Sequence, residues 1–147
     1  KIGAILGGAA PKDAELLYRL GIRMGLAFQL QDDLLDVYGD PAVFGKKIGG
    51  DILCNKKTFM LITALERADV EQKAELVDWI GKSEFVPEEK IKAVTAIYDE
   101  IGIASVCTAK IEELYAEGMA LLEQVELPDE RKNNLREFAY RLMGRKL

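Results

Sequence analysis

Between Pro11 and the breaker Gly39-Asp40-Pro41 the chain contains no proline, and it sets Leu16, Leu17, Leu20, Met24, Ala27, Phe28, Leu34 and Leu35 at helical spacing. A helix of that length commits the rest of the chain to packing other helices against it. Proline fits the first helical turn, where its missing N–H is no loss, and Gly-Asp-Pro ends the run. The apolar positions cover most of the circumference, so the pattern predicts a central, buried helix over Pro11–Tyr38. Two glycines, Gly21 and Gly25, lie on the side of Gln29 and Asp32. Each costs about 1 kcal/mol relative to alanine inside a helix. Close helix packing is the common reason to accept that cost, and room for a ligand tail is the functional one.

The remaining segments repeat the helical pattern. Lys1–Leu6 reads as the end of a helix stopped by Gly7-Gly8, which suggests a chain whose N-terminal part lies elsewhere. Ala42–Lys57 reads as one long loop bearing Gly45, Gly49 and Gly50, and loops of that length are usually functional. Helices are expected over Thr58–Arg67, Val70–Lys82, from Pro87 to the bend at Gly102, from Ile103 to about Val125, and from Pro128 onward. The last carries Leu135, Phe138, Ala139 and Leu142. No strand alternation and no internal repeat is present. The class is all-α, with 1–147 forming one domain.

At the end of the long helix stands Gln29-Leu30-Gln31-Asp32-Asp33-Leu34-Leu35-Asp36. Asp32 and Asp36 share a helix face, Asp33 flanks them, and Gln29 points the same way one turn earlier. No basic residue sits at helical spacing to answer these carboxylates, and their position opposes the helix dipole. A cation would offset both costs. Mg²⁺ suits the arrangement, because it binds one or two carboxylates and completes its octahedron with water and phosphate oxygens. Lys46-Lys47 and Lys56-Lys57 follow. Either lysine pair alone is more often solvated than functional, and an aspartate pair at a helix end is usually solvated too. The combination describes a site for a metal-bound polyphosphate.

Composition removes other chemistries. The chain has no histidine, which excludes imidazole ligation and histidine acid–base catalysis. A net charge of −5 makes nucleic acid or an anionic membrane surface a poor bulk partner. Cys54 and Cys107 have no metal-ligand spacing and fit a reducing, cytoplasmic setting. No apolar run reaches the length of a membrane span.

Three blocks together carry a family resemblance: 28–40 (FQLQDDLLDVYGD), 45–51 (GKKIGGD) and 55–58 (NKKT). They resemble the second aspartate-rich region of the trans-isoprenyl diphosphate synthases, the polyprenyl synthetase family that includes farnesyl and geranylgeranyl diphosphate synthases. The likeness is collinear from Gly3 to about Arg67 and less specific beyond. It implies a helical bundle of the isoprenoid synthase type, of which this chain is the C-terminal portion. It implies Mg²⁺ on Asp32, Asp33 and Asp36, diphosphate contacts from Gln29, Lys46 and Lys56, and Phe28 beside the condensation site. It implies a homodimer, and a basic tail at Arg145-Lys146 that closes over the site. The implied reaction is ionisation of an allylic diphosphate, attack by isopentenyl diphosphate, and proton loss.

The family's first aspartate-rich motif does not occur here, nor do its arginines and upstream Lys-Thr pair, so the isolated chain is expected to be inactive. Competing readings are a class I terpene cyclase, whose second metal motif differs, a non-catalytic partner subunit, and a plain helical interaction module. As loop residues, Lys46 and Lys56 are expected to matter for turnover while costing less than about 0.5 kcal/mol of stability when truncated.

Overall fold

The computed structural model describes residues 1–40 and 48–143. Among them are eight helices and no strand. They are α1 (Ile2–Leu6), α2 (Pro11–Tyr38), α3 (Gly50–Leu53), α4 (Phe59–Arg67), α5 (Val70–Gly81), α6 (Pro87–Ile101), α7 (Ile103–Glu123) and α8 (Asp129–Met143). The expected boundaries agree closely, with one exception. The segment read as a continuous loop to Lys57 contains the short helix α3, opened by Gly49 in the left-handed region at φ 85°. None of the described helices is long and apolar enough to cross a membrane.

Local chemistry sets several ends. Thr58 caps α4, its hydroxyl oxygen accepting from the Leu61 N–H at 3.1 Å. Asp69 caps α5 in a reciprocal box with Gln72. Gly102 takes φ 76° to end α6, a conformation that costs glycine nothing.

The chain divides into two compact units, and the division falls inside α2 and α7. One comprises, among the described residues, 1–29 and 109–143. Its core is Leu16, Leu20 and Met24 of α2 against Leu121, Leu122 and Val125 at the end of α7, with Ala139 of α8. Asp13 is buried and accepts from the Glu126 N–H at 3.1 Å, tying the start of α2 to the turn after α7. Gly118 of α7 lies so close to α2 that a Cβ there would fall 2.6 Å from the Met24 methyl. Only one face of this part of α2 is covered. Tyr18, Ile22 and Leu26 are exposed, so the helix expected to be central and buried is, among the described residues, covered on one face here. Phe138 of α8 is 61% exposed.

The other unit comprises residues 30–108. Helix α6 is its hub, touching α3, α4 and α5. Buried residues include Leu34, Leu35, Ile52, Met60, Leu76, Val94, Ile97, Tyr98 and Cys107. The end of α2 is fixed to α6 by the Tyr38 hydroxyl, which donates to Asp99 Oδ1 at 2.8 Å. Burial, with this bond to Asp99, holds the Tyr38 hydroxyl protonated far above its ordinary range. Cys107 Sγ–H faces the Leu30 carbonyl at 3.7 Å, and burial raises its pKa to about 11.

Candidate functional site

Within the 30–108 unit the last two turns of α2 meet the turn that leads from α3 to α4. Asp36 organises the first part of this meeting. Its Oδ2 accepts from the Asp51 N–H at 2.8 Å, and its backbone carbonyl accepts from the Gly49 N–H at 2.6 Å. A carboxylate from α2 thereby supplies the acceptor that the start of α3 lacks from its own N-cap. Gly49 is required at this point. Its φ is positive, and a Cβ would lie 2.7 Å from the Ile91 side chain.

Asp33 is the partly buried centre of the arrangement, its side chain 12% exposed. Lys56 Nζ donates to Asp33 Oδ1 at 2.9 Å and to Asp51 Oδ2 at 2.7 Å. Burial raises the Asp33 pKa, Lys56 opposes that, and Asp51 adds to it. For Lys56 the balance is reversed, and its two carboxylate bonds hold the ammonium well above its usual range. These directions are compatible because the desolvation cost falls on Asp33, while Lys56 is 49% exposed.

The counter-charge that helical spacing did not offer therefore comes from Lys56, brought in by the fold. Lys56 lies between two helices, as expected of a loop residue, and its two ion pairs add a contact that the sequence did not show. Asp51, the last residue of the 45–51 block, joins the site as well. Asp32 is half-buried one position before Asp33 and has interactions of its own. Lys57 is exposed, and Lys46 lies outside the described residues, as does the Arg145-Lys146 tail.

Among the described residues no three carboxylate, thiolate or imidazole groups converge into a closed metal cage. A magnesium ion takes one or two carboxylates and leaves the other positions to water and phosphate. Asp32 and Asp33 offer such a pair, and Asp36 Oδ1 is the oxygen not committed to Asp51.

Gln29 and Phe28 belong to the other unit. With Gly21, Ile22, Gly25 and Leu26 of α2, and Phe138 and Leu142 of α8, they line an open groove of about 740 Å³. A Cβ at Gly21 or Gly25 would meet nothing within 4 Å. Among the described residues none packs against these glycines, and both line the groove.

An all-helical chain with consecutive aspartates on its longest helix, answered by a lysine after the next turn, has the layout of an isoprenoid synthase. The solved structure of geranylgeranyl pyrophosphate synthase from Corynebacterium glutamicum, complexed with isoprenyl diphosphate and magnesium, superimposes with a TM-score of 0.84 at 36% identity. That match covers 98% of this chain and 41% of that one. The family model for polyprenyl synthetase matches residues 1–100, and the chain belongs to that family. Farnesyl pyrophosphate synthase of Homo sapiens is 41% identical over 107 residues, 73% of this chain and 25% of its own length. A short chain isoprenyl diphosphate synthase of Methanothermobacter thermautotrophicus is 34% identical over 137 residues, 93% of this chain and 38% of its own length. The chain thus spans less than half the length of the relatives it matches.

Proposed function

We propose that this chain is the C-terminal part of a single-domain trans-isoprenyl diphosphate synthase that joins isopentenyl diphosphate to an allylic diphosphate. The observation that carries the reading is the Asp33–Lys56–Asp51 cluster beside Asp32, with Asp36 holding α3 in place. Carboxylates at this spacing would hold Mg²⁺, which supplies the positive field that lets a diphosphate leave. Lys56, together with Lys46, would donate to the departing diphosphate and stabilise the charge it gains. Lys56 is already fixed by two carboxylates, so its ammonium is oriented before substrate arrives. Phe28 and Gln29 line the groove of their own unit, whose apolar wall would suit a hydrocarbon. No histidine base is called for. By the same reading the complete protein is a cytoplasmic homodimer. The two cysteines are unpaired, which agrees with a reducing compartment.

Calorimetric titration tests this. Inorganic pyrophosphate should bind only with Mg²⁺ present, and Mg²⁺ only with pyrophosphate. Asp33→Asn should abolish that binding while changing stability at pH 7 by less than about 0.5 kcal/mol, because removing the charge also removes its burial cost. Equal Mg²⁺ affinity with and without pyrophosphate, or undiminished binding by Asp33→Asn, would rule the assignment out.

A further inference from the structure

One buried charge has no part in the chemistry described so far. Lys90, in the first turn of α6, is 1% exposed. Its interactions among the described residues include no ion pair. Nζ donates to Asn55 Oδ1 at 2.7 Å and lies 4.2 Å from the centre of the Phe85 ring. Burial lowers its pKa, against a smaller opposite effect from Cys54. An apolar side chain would fill this position without desolvating an ammonium. What the ammonium contributes is a short, charge-assisted bond to one particular amide.

That amide belongs to an unusual residue. Asn55, at φ 52°, is the one non-glycine with positive φ among the described residues. Asparagine tolerates this left-handed conformation better than most residues, but the conformation still has to be held. It is held from two sides. Asn55 Nδ2 donates to the Ile80 carbonyl at the end of α5 at 3.1 Å, and Oδ1 receives Lys90 from α6. The next residue is Lys56. Its N–H donates to the Asp51 carbonyl at 2.9 Å, its own carbonyl accepts from the Thr58 N–H at 2.7 Å, and its side chain turns back to Asp33 and Asp51. The direction of Lys56 is therefore set by the residue that Lys90 grips.

We propose that Lys90 is a positioning residue: through Asn55 it holds the left-handed turn that aims Lys56 at Asp33 and Asp51. This rests on the reading of Lys56 as a diphosphate contact. The alternative is that Lys90 merely staples α6 to the turn, contributing stability and nothing to Lys56.

Two measurements on Lys90→Met, Asn55→Gly, Lys56→Ala and the double variant Lys90→Met/Lys56→Ala separate these. The first needs no ligand. The parent protein, Lys90→Met and Asn55→Gly are exposed briefly to acetic anhydride, at a temperature where each is folded, and acetylation of Lys56 and Lys57 is quantified by mass spectrometry. In Lys90→Met and Asn55→Gly, Lys56 should react about threefold faster or more, as its carboxylate bonds loosen, with Lys57 unchanged. Unchanged Lys56 reactivity in a folded variant overturns the proposal. Asn55→Gly keeps the backbone free to stay left-handed, so it decides the matter if Lys90→Met does not fold.

The second measurement is the affinity for inorganic pyrophosphate with Mg²⁺. Lys90→Met should weaken it about fivefold in the parent protein and less than about twofold when Lys56 is already alanine. Equal losses in both backgrounds contradict action through Lys56. If the parent protein binds no pyrophosphate, the functional reading has failed, and the acetylation measurement still judges the positioning.

Discussion

Removing the ammonium of Lys56 should unmask the cost of the two carboxylates it bridges. An exposed ion pair contributes about 0.2–1 kcal/mol. Taking the partner from a fully buried charge costs about 3–5 kcal/mol. Asp33 and Asp51 are 12% and 22% exposed and Lys56 is 49% exposed, so the cluster lies between those limits. For Lys56→Ala we expect a loss of about 1.5–2 kcal/mol at pH 7.5, a fall in Tm of about 5 °C for a chain of this size. The pH dependence follows from the direction of the Asp33 shift. Burial already raises its pKa in the folded state, and without Lys56 it rises further. A carboxyl whose folded pKa lies above its unfolded one penalises the fold only where the unfolded form would be ionised. The gap between parent and variant should therefore be small near pH 3, open as pH rises through the ordinary carboxylate range, and level off above the raised Asp33 pKa. Thermal melts of both proteins between pH 3 and 8 measure this. A gap that is constant across that range, or absent at pH 7.5, would show that Lys56 does not neutralise Asp33.

Two further outcomes concern the start of α3. Asp36→Ala removes the acceptor for the Asp51 N–H and should cost about 1 kcal/mol by urea denaturation, whereas Asp36→Asn keeps an oxygen there and should stay near the parent. If the two variants lose the same stability, Asp36 does not act as the acceptor for α3. Gly49→Ala combines a left-handed φ with a clash against Ile91 and should cost about 2–3 kcal/mol. At Gly50 a Cβ would meet only Asp36 Oδ1, at 3.4 Å, so Gly50→Ala should be far milder, and equal effects at the two glycines would contradict the argument.

Helix positions were legible because their signals are local. Pro11, Thr58, Pro87 and Gly102 mark ends by their own backbone chemistry, and the apolar spacing between them tells helix from strand. The aspartates were legible as a motif too. Their partners were not, because Lys56 is 23 residues from Asp33, and Lys90 is 35 from Asn55. Periodicity also states which face of a helix is apolar without stating what covers it. Phe138 fits the apolar spacing of the last helix, yet it stands exposed beside the groove. The short α3 was missed because four residues carry too little periodic signal to stand out from a loop.

The contact between Gly118 and Met24 makes one side chain serve two neighbours. The Met24 methyl occupies the space that a Cβ at position 118 would need, and the same residue forms part of the groove wall. A thioether is flexible, so a larger residue at 118 would displace it rather than break the helix pair apart. The displaced side chain can swing toward the groove. Position 118 itself is buried and touches nothing in that groove. It is nonetheless a place from which the groove's bore can be altered by inheritance alone, with Met24 as the moving part. A substitution there would reshape the groove while keeping every residue that lines it.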